Sequence, residues 1–347
     1  MVAIPPALPT RDLDDVLETT RSIWNDLANA RIFITGGTGF FGTWLLESFA
    51  YANDRLNLNS SLVVLTRDPD AFRRKAPHLV ENDFVSLVKG DVLDPLTGLG
   101  SFDAVIHAAT SASADLERND PETMFSTIVS GTDHVIDMAS ESGEIPFLLT
   151  SSGAVYGRQP ADLEFVTEDW RAENESTDSL TAYARGKREA ELRCLQAATR
   201  TNLQMKIARC YAFVGPHLPL DRHFAIGNFI RDGIDGRPIE VKGDGTTVRS
   251  YLYASDLVAW LWTILVKGEP GRPYNVGSSV AITMAELAQV VAIEFNPAPA
   301  VTIAEPPTSK PTNRYVPSVE RARDELGLKQ QIELSEAIAR TVEWYPS

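Results

Sequence analysis

The chain has 347 residues, 44% hydrophobic and 23% charged, which suits one large globular unit or two small ones with a sizeable core. A formal net charge of −15 argues against nucleic acid or an anionic membrane as the main partner, but leaves room for an anionic small ligand held by a local set of donors. No apolar run reaches about 18 residues, so no membrane span is expected, and MVAIPPALPTRDLDD lacks the basic and apolar regions of a signal peptide.

Cys194 and Cys210 are the only cysteines, a usage that suits a reducing cytoplasm and core positions rather than a redox pair. The histidines, His78, His107, His134, His217 and His223, show no metal-ligand spacing, so no metal is expected.

Residues 11–28 set Leu13, Val16, Leu17, Ile23 and Leu27 at roughly helical spacing, with Thr10 as the N-cap. Residues 1–30 therefore read as a helical extension. RIFIT (31–35) is a short apolar strand ending in glycines, and TWLLESFAYA (43–52) is helical. The strand signal returns in SLVVLT (61–66), FVSLVKGDV (84–92), FDAVIHAA (102–109), IPFLLTSS (145–152) and LQMKIARCYAF (203–213). Helical patterns separate several of these, notably 121–142 and 182–200. Alternating strands and helices predict an α/β fold: a Rossmann-type, doubly wound parallel sheet over residues 31–213. Residues 214–347 are less regular and read as a smaller α/β substrate-binding region, with 250–275 returning to the first domain.

TGGTGFFG (35–42) spaces Gly36, Gly39 and Gly42 three apart, after the first strand and before a helix. Such a turn must be tight, must let the backbone approach a pyrophosphate, and offers the helix N-terminus to it. This is a dinucleotide-binding pattern. The second strand ends in Thr66 and Arg67, where an NAD-binding chain usually carries an acid for the ribose 2′-hydroxyl. An arginine there suits a 2′-phosphate, which favours NADP over NAD, although Asp68 is adjacent. Asp91, in GDV (90–92), is a candidate partner for the adenine amino group.

In YARGK, Tyr183 and Lys187 are four apart on one helical face. A free tyrosine has a pKa near ~10, so acid–base work near neutrality needs about three units of depression, on the order of 4 kcal/mol. A lysine one turn away supplies positive charge. A hydroxyl at the end of TSSGAVYG (150–157) could orient the reacting oxygen.

TGGTGFFG, HAA (107–109), TSSGAVYG, YARGK and GDGTTVRSYLYASDLV (243–258) together resemble the extended short-chain dehydrogenase/reductases, the NAD-dependent epimerase/dehydratase family that modifies nucleotide sugars. The resemblance runs from about residue 31 to the C-terminus. It implies a Ser–Tyr–Lys triad of Ser152, Tyr183 and Lys187. It also implies NADP or NAD held by Gly36, Gly39, Phe40, Phe41, Gly42, Arg67, Asp91, Val92, Ala108, Ala109, Tyr183 and Lys187. Arg249 matches the arginine that binds the nucleotide diphosphate, and Arg314 is a candidate second phosphate contact. Helices 122–139 and 183–198 match those that pair such enzymes into homodimers.

The departures carry information. Related dehydratases have an Asp–Glu pair after the triad hydroxyl, and UDP-glucuronate decarboxylases keep a glutamate at the second position. Here these positions are Gly153 and Ala154. Ile128 and Ala212 replace two asparagines that are common in the family. Asn228 could supply an amide to the substrate instead, and His217 and His223 could meet the sugar. The expected activity is 4-keto reduction or 4-epimerisation of a nucleotide-activated sugar. The alternatives are a nucleotide-sugar dehydratase or decarboxylase, and a non-catalytic NADP-binding sensor.

Overall fold

The computed structural model describes residues 5–110, 114–171, 180–221, 224–308 and 313–345. His223 lies outside them.

The N-terminal segment is two elements rather than the one helix its spacing suggested. Helix α1 (Thr10–Thr20) is followed by a one-turn 3-10 helix, Trp24–Leu27. Thr10 is its first helical residue, and Pro9 holds the cap position without a side-chain bond. The chain turns where large side chains must reach the core. Trp24 is fully buried, donates its indole N–H to Thr20 Oγ1 at 2.8 Å, and lies 5.1 Å from the Trp262 ring and 6.4 Å from Phe49.

The main sheet has seven strands. Six are β1 (Arg31–Thr35), β2 (Ser61–Thr66), β3 (Val85–Lys89), β4 (Ala104–His107), β5 (Pro146–Ser152) and β6 (Gln204–Cys210). The seventh is the edge strand Pro273–Val276. From that edge the order is β6, β5, β4, β1, β2, β3, and the ladders from β3 to β5 are parallel. Central strands are buried almost end to end, as a sheet covered on both faces requires. The connections come from α2 (Phe40–Leu56), α3 (Pro69–Lys75), α4 (Pro77–Val80), α5 (Ala114–Asn119), α6 (Pro121–Ser140) and α7 (Ala182–Arg200). This is the Rossmann-type doubly wound fold. Strand order reverses between β1 and β4, and ligands of such sheets bind beyond the strand ends at that point.

Spans β1, β2 and α7 coincide with the sequence expectation. The third and fourth strands are shorter, because GDV and AA belong to the turns that follow. The expected strand 203–213 breaks after Cys210, and Phe213–Val214 pairs instead with Leu252–Tyr253.

Two compact units divide the chain. The first comprises residues 1–155, 173–209 and 258–274; the second, 156–172, 210–257 and 275–347. The second unit contains a three-stranded sheet with Val248–Arg249 between Ile282–Thr283 and Arg314–Tyr315. Fully buried Asn275 ties its segments together. Its amide donates to Val166 O at 2.9 Å and Ser318 O at 3.0 Å, and its Oδ1 accepts from Tyr156 Oη at 2.8 Å.

Candidate functional site

The glycine turn lies between β1 and α2. Gly36 has φ +71°, and a Cβ there would sit 2.5 Å from the Ala108 carbonyl atoms. A Cβ on Gly42 would sit 2.3 Å from Gly36 O, so the helix packs directly on the turn. Gly39 differs: its Cβ would meet only Gly36 O, at an ordinary 3.5 Å. The protein does not need a glycine there for its own packing. The omitted side chain instead leaves open ground at the mouth of α2, whose N-cap makes no side-chain hydrogen bond. The first intrahelical donor is Thr43 N–H, to Gly39 O at 2.8 Å. The first-turn N–H groups at Phe40, Phe41 and Gly42 are those a helix offers to phosphate. The turn therefore fits a dinucleotide pyrophosphate.

At the end of β2, Arg67 is exposed, and its guanidinium makes no hydrogen bond or ion pair with the described residues. The neighbouring Asp68 caps α3, its carboxylate accepting from Ala71 N–H at 2.9 Å. Past β3, Asp91 accepts from Leu93 N–H at 3.1 Å. Val92 packs on the core and offers its carbonyl to His134 Nδ1 at 2.8 Å.

A chain of hydrogen bonds fixes the end of β4. Ala109 N–H donates to Thr35 Oγ1 at 3.1 Å, and Thr35 Oγ1 is 2.7 Å from His107 Nδ1. His107 Nε2 is 3.2 Å from Thr132 Oγ1, whose hydroxyl donates to Ile128 O at 2.7 Å. These partners assign the proton to Nε2, with Nδ1 accepting from Thr35. Burial, and secondarily the Lys187 charge, holds this imidazole down at about 3. A neutral His107 thus joins the glycine strand, β4 and α6, and seats Ala108 and Ala109 against Gly36. The role of His107 rests on contacts with Thr35 and Thr132, distant in sequence, and is not visible in HAA itself.

Ser152 ends β5, and Ala154 N–H donates to its Oγ at 3.1 Å. Gly153–Tyr156 form a 3-10 turn immediately after it, so neither position following the hydroxyl carries an acid. On α7, Lys187 is 2% exposed and donates to Thr150 O at 2.8 Å, with Nζ 5.9 Å from the Tyr183 ring centroid. Hydroxyl, phenol and ammonium all belong to the first unit. Ile128 packs where a Cβ on Gly186 would come within 3.1 Å of it, so α6 and α7 meet closely beside Lys187.

Two supports were not anticipated. Glu117 of α5 accepts from the backbone N–H groups of Ala182 at 2.7 Å and Tyr183 at 2.9 Å, anchoring the start of α7. Glu191 accepts from Ser151 Oγ at 2.5 Å and takes Arg209 in a bidentate pair, with Nη2 at 2.7 Å. That buried pair ties α7 to β5 and β6. Glu191 is one turn beyond Lys187, a helical spacing that could have flagged it.

Residues of the second unit are more dispersed. Arg249 Nη1 donates to Val248 O at 2.9 Å, and its guanidinium lies 5.8 Å from the Tyr315 ring centroid. Burial lowers its pKa from the usual arginine value. Arg314 pairs in register with Val248, and Tyr315 with Arg249. Register partners share a face and neighbours alternate, so Arg314 points away from Arg249. Its Nε donates to Glu164 O at 2.8 Å. The register therefore sets the two arginines on opposite faces of this small sheet. Asn228 is half-buried within the helix Ala225–Ile234, and its side-chain amide makes no hydrogen bond with the described residues. His217 lies against Trp344 with the rings tilted and their centroids 4.5 Å apart. Among the described residues, no group of three His, Cys, Asp or Glu could hold a metal, and no helix is long and apolar enough to cross a membrane. Both cysteines are buried, and neither forms a disulfide.

The NAD dependent epimerase/dehydratase family model matches residues 32–277. UDP-glucuronic acid decarboxylase 1 of Arabidopsis thaliana is 30% identical over 312 residues, 90% of this chain and 69% of that one. A solved dTDP-glucose 4,6-dehydratase from Streptomyces venezuelae, with NAD and TYD bound, has a TM-score of 0.75 or better, at 0.76, and 24% identity, over 91% of this chain and 96% of that one. A Thermotoga maritima UDP-glucose 4-epimerase with UDP-glucose has a TM-score of 0.75 and 20% identity, over 90% and 98%. The two structures share the fold.

Proposed function

The chain belongs to the NAD dependent epimerase/dehydratase family, and from that premise we propose that it moves a hydride at C4 of a nucleotide-activated sugar, by 4-keto reduction or 4-epimerisation. The observation that carries this reading is the turn after Ser152. Elimination of water across C5 and C6 needs an acid at the leaving hydroxyl, and Gly153–Ala154 offers none. Hydride exchange at a carbinol or ketone needs only a proton donor or acceptor, an oriented oxygen and the cofactor.

Bound NAD(P) supplies or accepts the hydride. Tyr183 Oη gives or takes the proton at the C4 oxygen. Ser152 Oγ already accepts from Ala154 N–H, so its own O–H is left to donate to that oxygen. Lys187 is a cation in a low-dielectric setting, held by the neutral Thr150 carbonyl. Its field stabilises a tyrosinate and lowers the cost of proton removal. Glu191 and Glu117 position α7, and with it both residues.

The cofactor we favour is NADP. Thr66 and Arg67 end β2 without an acid facing the ribose, and Asp68 is engaged in its helix cap. We further assign Arg249 to the diphosphate of the substrate and Asn228 to its polar groups. Pairing of two copies through α6 and α7 is the assembly we expect, since Leu192 and Leu195 stand 45% and 40% exposed on α7. A monomer mass in solution at micromolar concentration would remove it.

A second reading, decarboxylation of a nucleotide-linked uronate, has one observation in its favour: the 30% identity to a UDP-glucuronic acid decarboxylase. Product analysis separates the two. With NADPH deuterated at its transferable position and a nucleotide-linked 4-keto sugar, deuterium should appear at C4 of the product. Release of carbon dioxide from UDP-glucuronate, or of water from dTDP-glucose, at a comparable rate would replace the first reading.

A further inference from the structure

In a chain with 47 acidic and 32 basic residues, a half-buried lysine with no carboxylate near it is out of pattern. Lys75 is such a residue. It ends α3, and its Nζ donates to Thr38 O at 3.0 Å, back in the glycine turn. That carbonyl is its one partner among the described residues. Burial lowers its pKa from the usual lysine value, and no acidic group opposes the effect. An ammonium keeps three donors, so a single neutral acceptor leaves most of its capacity unused.

Its position makes the charge more unusual. Thr38 immediately precedes Gly39, the N-cap of α2. A helix N-terminus carries partial positive charge and disfavours a cation beside it. Without a ligand, Lys75 has desolvation and dipole repulsion against it and one carbonyl in its favour. An anion placed between the turn and α3 would attract both the ammonium and the helix N-terminus and offset both costs.

The segment from Arg67 to Lys75 identifies which anion. It leaves the end of β2 at Arg67, runs through α3 and returns at Lys75 to the turn that ends β1. β1 and β2 are register partners, with Thr35 opposite Leu65, so the segment brackets the space beside the ends of two adjacent strands. In a doubly wound fold the adenosine ribose lies there, and the pyrophosphate takes the α2 N–H groups. Arg73 is paired with Asp70 at 2.9 Å and does not compete. A phosphate monoester carries about two negative charges near neutrality, enough for two cations.

We propose that Lys75 is a specificity-determining residue that closes on the 2′-phosphate of NADP opposite Arg67. The inference rests on the NADP reading given above. On binding, Nζ adds a phosphate oxygen to, or exchanges it for, the Thr38 carbonyl, and no covalent change is involved.

The test measures dissociation constants by calorimetry for NADPH, NADH, adenosine 2′,5′-bisphosphate and adenosine 5′-monophosphate. Wild type is compared with Lys75→Met, which keeps the apolar stem, and Lys75→Gln, with thermal melting as the folding control. Loss of a charge-assisted phosphate contact should weaken NADPH and the bisphosphate by about tenfold or more, while NADH and the monophosphate change by less than about twofold. Equal losses on all four ligands would assign Lys75 to the 5′-phosphate or to the shape of the turn, and overturn the proposal. No loss on any of them would overturn it too. The wild-type ratio tests the underlying reading separately. If NADH binds as tightly as NADPH, the NADP assignment fails and takes this inference with it. If NADPH is preferred and neither variant loses affinity, only the role of Lys75 falls.

Discussion

The polar groups of the two units differ in what stands behind them. In the first unit, Lys187 is held by Thr150, the N-terminus of α7 by Glu117, its middle by Glu191 with Arg209, and the end of β4 by the Thr35–His107–Thr132 chain. In the second, Arg249 has a neighbouring carbonyl and an aromatic face, Arg314 is turned the other way, and the Asn228 amide has no partner among the described residues. Proton transfer tolerates little misplacement, since an acid–base group must stand within hydrogen-bond reach of the atom it serves. A ligand-gripping amide or guanidinium can wait for its partner. We propose that the first set is built before substrate arrives and that the second is left for the substrate to complete.

Removing the reacting group should produce the largest effect. Tyr183→Phe keeps a ring that packs but lacks the proton, so turnover should fall by about 10²–10⁴-fold while cofactor affinity stays within a few-fold. Steady-state rates and cofactor titration measure both. Retention of more than about a tenth of the activity would mean that another group moves the proton.

Removing a support tests the other half of the contrast. The Arg209 and Glu191 side chains are 10% and 9% exposed. Glu191→Ala takes the paired carboxylate away from a buried guanidinium, which should cost about 3–5 kcal/mol in urea unfolding. Glu189→Ala, which breaks a half-exposed pair with Arg193 on the same helix, should cost less than about 1 kcal/mol. Similar losses in the two variants would show that burial does not distinguish the pairs.

Legibility followed the same division. β1, β2 and α7 were readable because apolar runs, glycine spacing and the Tyr–Lys interval are local patterns. Glu117 was not, because its meaning comes from a contact 65 residues away, at the start of α7. Nor was the opposition of Arg249 and Arg314, which depends on strand register, where a shift of one residue exchanges the faces. The single N-terminal helix failed because periodicity continued through Ile23 and Leu27 while the packing of Trp24 required a turn. The meaning of Asp68 needed its cap bond to Ala71 to be seen. The supports of the candidate site were therefore hidden in tertiary contacts, whereas its proposed reacting residues follow from local patterns.

Arg67 is a waiting group within the otherwise prebuilt unit. Arg67→Ala should weaken NADPH by roughly ten- to a hundredfold and leave NADH nearly unchanged, the expected loss of a charge-assisted phosphate contact. Equal losses would assign Arg67 to the adenine or the fold. No loss would leave it a solvated residue and remove the preference for NADP.

The smallest effect concerns His107, a buried member of the prebuilt set. Its folded pKa, about 3, is below the ordinary histidine value because of burial and the nearby Lys187 charge. The unfolded chain therefore takes up a proton near pH 6.5, and the folded chain takes it up only near pH 3. The stability contributed by neutral His107 is complete above about pH 6.5 and is lost as pH falls through the window down to about 3, with a slope of at most about 1.4 kcal/mol per pH unit. By about pH 5.5 the loss from this group should be on the order of 1.4 kcal/mol. His107→Gln is the matched control. Its amide can accept from Thr35 and donate to Thr132, yet it does not titrate. Urea unfolding of both proteins at about pH 7 and about pH 5.5 removes the carboxylate contribution by subtraction, since both share it. The wild type should lose more stability than the variant between those values. Equal losses would mean that the imidazole is not held neutral by the fold, and that the hydrogen-bond chain from the glycine strand to α6 does not depend on its protonation state.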